Sequence, residues 1–485
     1  MGLNAVTLEQ LVPASRPLPA VDELVAGLPT EAYTTDPEVC ARYGADRWPI
    51  ASKRELLGER VPHPALVVRP SNAEEIAKVL RRAQACGVAV TPYGAGSSVV
   101  GGAIPADGGI LIDLRRMDRV LEFDEVSLLV TAEAGIKGDV LERWLNERGY
   151  TLGHFPQSLH LSTLGGWVAT RASGTFSSRY GNIEDIVDGL RVVLPDGELI
   201  DIAPCPRRSA GPELTDVFIG SEGTLGIVTE VDVRVRPVPA VRRFAGFRFA
   251  ELGAAIATIR ELAQLDRAPA LVRLYDAEEA QRLLEAVGEA AGTPLLVLGW
   301  DGDEETVSGQ ETQAGAICAR HGGAGLGSAV GEAWFESRFD VAPLIAAIER
   351  RNGLADTIEI SMRWRDAEQV YQAATTAADR HASRVLAHFS HVYPSGTSLY
   401  VIFTVEAESD AAAEQAYLRV WEDVTTAAMA AGASLSHHHG VGVARARWMA
   451  QEHGAGLRVL QAIKGALDPA GILNPGKLLP LGEQR

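Results

Sequence analysis

The chain has 485 residues, room for about three average domains by length alone. Hydrophobic residues make up 46% and charged residues 22%, ordinary globular usage that excludes wholesale disorder, collagen-like repeats and a disulfide mini-scaffold. With 45 Lys+Arg against 63 Asp+Glu the net charge is −18, which argues against a general nucleic-acid surface and requires any anionic ligand to be held by local groups.

The four cysteines, Cys40, Cys86, Cys205 and Cys318, form no C-x-x-C pair, so neither a zinc ribbon nor a dithiol motif is on offer and the thiols are expected to be reduced. No basic region followed by an apolar run opens the chain, and no stretch approaches the roughly 20 apolar residues of a membrane span. The C-terminal LGEQR is not a peroxisomal address. The expectation is a cytoplasmic protein with neither a nucleic-acid partner nor a transmembrane segment.

Residues 1–60 are Pro-punctuated, with a helix expected near 22–28, and read as an arm that packs on something larger. From Ala65 the pattern sharpens. ALVVRP is a strand, Ser71 with Glu74 offers a capping box, residues 73–86 repeat apolar side chains at helical spacing, and Gly87 stops the helix. VAVTPYG follows as a second strand, completing a β-α-β unit. GGILIDL, SLLVTAEAG, DGLRVVLPDGELI and LGIVTEVDVRVRPVP then alternate as strands do, so residues 61–237 form an α+β domain.

Over 238–432 the rhythm changes to strand then helix: FAGFRFAEL before AAIATIRELAQ, ALVRLYD before AEEAQRLLEAV, and PLLVLGWDG before a helix reaching ARHG. IEISMRW, a helix over 366–382, the strand SLYVIFTVEAE and a helix over 411–431 complete this second, α/β domain. Residues 433–485 hold SHHHGVG, a helix around 457–467 and LDPAGILNPGKLLP, and are expected to return to the first domain.

Three small-residue loops carry chemistry. Pro92, Tyr93, Gly94, Ala95, Gly96, Ser97 and Ser98 follow a strand directly, and residues this small let successive backbone N–H groups approach a pyrophosphate. The segment is neither G-x-G-x-x-G nor G-x-x-x-x-G-K-[ST], which disfavours a Rossmann nicotinamide site and a P-loop. Ser162-Thr163-Leu164-Gly165-Gly166 with Thr170-Arg171-Ala172-Ser173, and then Gly220-Ser221-Glu222-Gly223-Thr224-Leu225-Gly226-Ile227-Val228, supply two more such loops, enough to cradle a long dinucleotide.

In this order, PYGAGSS, STLGGWVATRASG, GSEGTLGIVTE and LDPAGILNPGK resemble the FAD-binding flavoenzymes of the vanillyl-alcohol oxidase and p-cresol methylhydroxylase type. The resemblance implies FAD extended along a two-part α+β domain, a cap domain with an antiparallel sheet, and a C-terminal tail that closes the site. It places the pyrophosphate on Pro92 through Ser98. It lines the rest of the cofactor with Gln157, Ser158, Ser162, Thr163, Gly166, Thr170, Arg171, Ala172, Ser173, Glu222, Gly223, Thr224, Gly226, Ile227 and Val228. Covalent members carry His in the first loop; Ser97 stands here, which implies non-covalent FAD. Members of this type are often dimers, so a homodimer is an expectation.

Within the family the chain is similar to the alkyl-dihydroxyacetone-phosphate synthases, in RYGNIED (179–185), RLYD (273–276), DTIE (356–359), HVYPSGTSLY (391–400) and SHHHGVG (436–442). By that resemblance Tyr400 is an acid/base group, His437, His438 and His439 assist proton transfer, and Arg273 orients an anionic group of a small-molecule or lipid-like substrate.

Read from the residues alone, the same positions stay open. A phenol titrates near pH 10 and serves as a base only if neighbouring positive charge or imidazole lowers its pKa, for which the His run is the candidate partner. In a strand His437 and His439 would share a face and His438 oppose them. A zinc site would lack a spaced fourth ligand, and no metal is expected. Arg273 could equally pair with Asp276.

Two positions depart from the synthase pattern: Ile345 stands near where an Arg is expected, and Val443 follows the His run in place of Lys. Arg350, Arg351, Arg445 and Arg447 are the candidates to replace the lost charge. The expected activity is therefore a FAD-dependent oxidoreductase on a synthase-like scaffold, with the synthase, a non-redox transferase, as its alternative. A D-lactate-type 2-hydroxy-acid dehydrogenase fits less well, because its metal-associated His and Glu are missing.

Overall fold

The computed structural model describes residues 11–265 and 268–480. A four-stranded sheet in the order Tyr33–Thr34, Leu66–Val68, Ile110–Asp113, Val90–Tyr93 opens the fold. The two strands of the expected β-α-β unit are not neighbours, because Ile110–Asp113 runs between them, parallel to both. The crossover helix Ala73–Cys86 buries Ile76, Val79, Leu80 and Ala83 against Leu66, Val68, Val90 and Ile110. Its cap sits one residue later than the sequence suggests. Asn72, not Ser71, accepts from the Glu75 N–H, and the Glu75 carboxylate reaches back to the Ser71 N–H at 2.8 Å. Gly87 ends the helix at φ +66°, as expected.

A second, antiparallel sheet follows in the order Val120–Asp124, Leu129–Glu133, Ile227–Arg234, Val187–Val193, Leu199–Ile202. The helices Gly138–Asn146 and Leu164–Thr170 cover it through Leu141, Leu145, Trp167 and Val168. The segment near 22–28 is helical only over Val21–Leu24. The arm does pack on something larger: Trp48 donates to the Tyr417 hydroxyl, Lys53 pairs with Asp410, and Arg54 pairs with Glu414.

The cap is one seven-stranded antiparallel sheet, ordered Ala324–Gly327, Val241–Arg248, Leu295–Gly302, Leu271–Tyr275, Arg384–Tyr393, Gly396–Glu406, Gly353–Arg363. The strand Arg384–Tyr393 lies in RVLAHFSHVY, whose polar and aromatic residues break the apolar run that marks its neighbours. One face of the sheet is apolar, with Leu274, Ala387, Phe389, Leu399, Val401, Ile358 and Ile360 buried under the helices Leu252–Ala263, Ala367–Asp379 and Asp410–Ala430. The other face holds the polar residues of interest.

The tail returns to the first sheet. Val90 N–H donates to Ile472 C=O and Asn474 N–H to Val90 C=O, so 472–474 extend that sheet beside the strand Val90–Tyr93. The buried Lys464 locks the turn by donating to the carbonyls of Thr224 and Leu473 and to Asp468. No helix among the described residues is long and apolar enough to cross a membrane.

Candidate functional site

The three small-residue loops converge. A Cβ at Gly94 would lie 2.4 Å from Thr163 Oγ1, and one at Gly223 would lie 2.3 Å from Pro92, so the first loop touches both others with nothing to spare. Gly96 turns at φ +65° over the Tyr93 hydroxyl, a conformation that a side chain would strain. Ala95, Gly96 and Ser97 donate their backbone N–H groups to no protein acceptor among the described residues. Thr163 caps the helix Leu164–Thr170, Thr170 bonds back to Gly166 C=O, and Ser162 joins Ser158 and Trp167 in a small network.

Several of the remaining loop side chains are engaged with protein. Ser173 donates to Asn182, the exposed Arg171 pairs with Glu184, Thr224 donates to Ser221 C=O, and Gln157 is exposed. Ala172, Val228, Ile227 and Gly226 are packed against apolar neighbours. Glu222, at φ +50°, directs its carboxylate to the tail, where it accepts from the N–H groups of Val441 (2.5 Å) and Gly442 (2.8 Å). That clamp requires Gly440, since a Cβ there would approach Glu222 Oε1 to 2.7 Å.

Beside the loops, His154, packed on Trp167, and Asn474, which donates to the Gly102 and Glu222 carbonyls, leave buried polar atoms without a protein partner. His154 has both ring nitrogens unbonded and is held neutral, its pKa pushed down to about 3 by burial. Asn474 Oδ1 likewise accepts nothing. Free backbone donors in a small-residue loop, with orphaned buried polar atoms nearby, fit a large polar cofactor such as FAD.

The cap contributes side chains through register. Glu359, Tyr400 and His388 lie directly opposite one another on three adjacent strands, and Tyr275 is opposite His388 on the next. Opposed residues share a face, and residues two apart share it too, so Arg273 joins them. His391 would point to the other face by alternation. A bulge between Ser390 and Val392 leaves it unpaired, and its φ of +52° turns it back to the site.

Glu359 is the hub. It is fully buried and accepts from Ser436 Oγ (2.8 Å), from the backbone N–H groups of His437 (2.5 Å), His438 (3.2 Å) and His439 (2.9 Å), and from Arg445 Nη1 (2.8 Å). Burial by itself would raise its pKa; Arg445 and the histidines hold it well below the ordinary carboxylate range. The His run is therefore a loop wrapped round a carboxylate, not a strand, and strand alternation does not apply to it.

The wrap assembles one hydrogen-bonded path. Ser177 Oγ is 2.8 Å from His391 Nδ1, and His391 Nε2 is 2.9 Å from the Tyr400 hydroxyl. That hydroxyl is 3.2 Å from His438 Nε2; His438 and His437 meet through their Nδ1 atoms at 2.9 Å; His437 Nε2 is 2.7 Å from the Tyr393 hydroxyl. His439 is the member of the run outside this path, with Nδ1 unbonded 3.7 Å from Glu359 Oε1. The imidazole nitrogens of His391, His437 and His438 come within 4.8 Å of one another, spacing that could hold a cation, but every one of them is already taken by a protein partner.

Burial sets the charges. It pushes His437 and His438 to about 3 and His439 to about 4, and His391 well below its ordinary value, so the imidazoles are neutral at pH 7. It also raises the Tyr400 phenol, against the pull of Arg273. The lowered phenol that base catalysis would demand is thus not found. Tyr400 is a neutral hydroxyl between two neutral imidazoles, donating to one and accepting from the other.

Arg273 does not pair with Asp276, which caps the helix Ala277–Ala286 and accepts from Tyr371. Its Nη2 donates instead to His388 Nε2 (2.8 Å), whose Nδ1 donates to Glu279 (2.7 Å). Arg273 Nε has no acceptor.

The expected substitutes for the lost charges are engaged elsewhere. Arg445 is paired with Glu359, Arg447 with Glu422 and Arg350 with Glu406, and the exposed Arg351 is placed near Asp410. Ile345 is 41% exposed on the helix Ala342–Glu349, and Val443 is buried against Gly101. Sequence reasoning gave no role to His391, Ser177 or Glu359. The available signals were the His that opens HVYPSG and the acid in DTIE.

A profile of the FAD binding domain matches residues 64–203, and one of the C-terminal domain of FAD linked oxidases matches 238–478. The chain belongs to the FAD-linked oxidase family and is an FAD-dependent enzyme. It is 32% identical to alkyldihydroxyacetonephosphate synthase of Dictyostelium discoideum over 466 residues, covering 88% of this chain and 76% of that protein. A solved structure of an alkyldihydroxyacetonephosphate synthase superposes with TM-score 0.80 at 28% identity, over 98% of this chain and 89% of that one. Substrate-bound p-cresol methylhydroxylase shares the fold at 16% identity, with TM-score 0.76 over 96% and 99% of the two chains.

Proposed function

We propose that the protein is an FAD-dependent oxidoreductase acting on a small hydroxylated substrate, with Tyr400, His391 and His438 managing the substrate proton. The carrying observation is the Tyr400 hydroxyl held between two neutral imidazole nitrogens at 2.9 and 3.2 Å. FAD, when bound non-covalently along the small-residue loops, supplies a hydride acceptor. Tyr400 then takes the substrate hydroxyl proton while passing its own to His391 or His438. From His438 the proton moves on through His437 to the partly exposed Tyr393, which gives its own hydroxyl proton to solvent as it accepts, while His391 and Ser177 hold the other side of the Tyr400 hydroxyl. Such a relay suits groups of extreme pKa, because no single one must store the proton. Arg273, fixed by the His388–Glu279 pair, orients an anionic group of the substrate.

A second reading, the alkyl-dihydroxyacetone-phosphate synthase reaction without net redox, is favoured by the 32% identity over most of the chain. One experiment separates the two. The FAD-loaded protein is mixed anaerobically with palmitoyl-dihydroxyacetone phosphate and hexadecanol, with the visible spectrum followed and the products weighed by mass spectrometry. Ether-linked product without lasting bleaching selects the transferase. An inert mixture, with bleaching by an oxidisable alcohol from a panel, selects the oxidoreductase. A FAD-loaded Tyr400→Phe protein with full activity overturns both.

A further inference from the structure

The path through Tyr400 is made of hydroxyls and neutral imidazoles, each of which gives one hydrogen bond and takes another, so it can run with either of two polarities. In one, every proton points from Ser177 toward Tyr393 and Tyr400 donates to His438. In the other, every proton points back and Tyr400 donates to His391. Two features select between them, and a third accommodates the choice.

The first is Ser177. It is buried at the start of the short helix Ser177–Tyr180, and its Oγ has one hydrogen-bond partner among the described residues, His391 Nδ1 at 2.8 Å. Were the proton on Nδ1, the Ser177 hydroxyl hydrogen would be buried with no acceptor, whereas an unused oxygen lone pair costs less. Ser177 therefore donates, Nδ1 is bare, and the His391 proton sits on Nε2, 2.9 Å from the Tyr400 oxygen.

The second is Glu359. His438 Nδ1 is the ring nitrogen that approaches it, 3.8 Å from Oε2, and a buried carboxylate favours a proton on that nearer nitrogen. The proton points to His437 Nδ1 at 2.9 Å and leaves His438 Nε2 bare to accept from Tyr400 at 3.2 Å.

The third is Asn182. Its Oδ1 takes the Ser173 hydroxyl at 2.6 Å, which turns its Nδ2 toward the Tyr393 oxygen, 3.2 Å away. The same Oδ1 is 3.4 Å from that phenol, too long for a good O–H bond. With Asn182 and His437 (2.7 Å) both donating to its oxygen, the partly exposed Tyr393 sends its own hydrogen to solvent. Ser177 and Asn182, on one segment, thus close both ends of a path whose other members come from the cap strands and the His loop.

We propose that Ser177 is a positioning residue that fixes His391 as its Nε2–H tautomer, making His391 a donor to Tyr400 and giving the whole path one outward polarity. Of the two directions open to the Tyr400 proton, this leaves the one toward His438. As the substrate proton reaches the Tyr400 oxygen, Tyr400 gives its own to His438 Nε2. His438 passes its Nδ1 proton to His437 Nδ1, His437 its Nε2 proton to Tyr393, and Tyr393 one to solvent. Each member ends with as many protons as it began with, and His391 keeps its own throughout. The inference rests on the reading of Tyr400 as the hydroxyl that meets the substrate.

The test is two-bond proton–nitrogen NMR of the FAD-loaded, substrate-free protein carrying isotope-labelled histidine, at a pH where the imidazoles are neutral and bare and protonated ring nitrogens resonate far apart. Spectra of His391→Gln, His437→Gln and His438→Gln assign the signals. The wild type shows one tautomer at each position, Nε2–H for His391 and His437 and Nδ1–H for His438. Ser177→Ala, which exchanges the hydroxyl for space in which a water can give or take, shows both tautomers at His391 and turns over at least about fivefold more slowly with KM unchanged. Ser177→Thr restores the single tautomer and the rate. His391 found as Nδ1–H in the wild type, or a Ser177→Ala spectrum identical to it, overturns the proposal whatever the reaction proves to be. The expected tautomers together with full activity in Tyr400→Phe keep the polarity and remove the reading of Tyr400.

Discussion

The small-residue loops and the cap face are built on opposite plans. The loops work through backbone: free N–H groups at Ala95, Gly96 and Ser97, and glycines packed so closely that a Cβ at Gly94 or Gly223 would clash with the neighbouring loop. The cap face works through side chains from distant segments, Ser177, His391, Tyr400 and the His loop, and one carboxylate, Glu359, holds that loop in place. A backbone site is local and tolerates drift elsewhere. A side-chain site of this kind fails as a unit, because its members position one another.

The sharpest way to break the contrast is at the hub. Glu359→Gln leaves Arg445 buried without a counter-charge and turns one accepting oxygen into an NH2 that cannot accept from the loop N–H groups it served, and is expected to cost about 3–5 kcal/mol of stability. Denaturant unfolding followed by tryptophan fluorescence checks this, and a loss below about 1 kcal/mol would show that the His loop holds itself. Tyr400→Phe tests function without the hub: FAD absorbance stays normal while turnover falls about 10²–10⁴-fold, measured by anaerobic flavin reduction or product formation.

On the loop side, Gly96→Val introduces a side chain at φ +65° and 2.2 Å from the Tyr93 hydroxyl, adding about 1–3 kcal/mol of strain. FAD affinity is expected to fall about 5- to 150-fold, read by fluorescence titration of the apoprotein, with the cap's unfolding midpoint unmoved. A last effect concerns pH. His437, His438 and His439 bind protons near pH 6.5 when unfolded but only near 3–4 when folded, so stability is full above pH 6.5 and declines as pH falls toward 4. The low Glu359 acts in the same direction below pH 4.5. Thermal melts between pH 8 and pH 4.5 check the slope, and Glu359→Gln with its loop released should flatten it.

What the residues alone determined is the part of the protein whose physics is local. Gly87 ends a helix wherever it is packed, the helix Leu457–Leu467 begins and ends as its periodicity predicts, and small-residue loops after strands announce a dinucleotide cradle because the property needed is simply the absence of a side chain. The antiparallel cap sheet and the return of the tail were likewise legible, from alternation and from the family resemblance.

Tertiary structure decided the rest. Whether His391 faces helices or the site turns on one bulged residue, since a strand's period of two converts a single insertion into a change of face. The HHH run looks like three ligands or half a strand until Glu359, 77 residues from Ser436 in sequence, is seen to hold its backbone. The phenol of Tyr400, which could serve as a base only if a neighbour lowered it, is raised, because burial outweighs the single nearby guanidinium and no linear pattern reports how deeply a group is buried. Arg273 acquires meaning in the same way: its partner is His388 and not the nearby Asp276, and which acceptor reaches an arginine is a property of the fold.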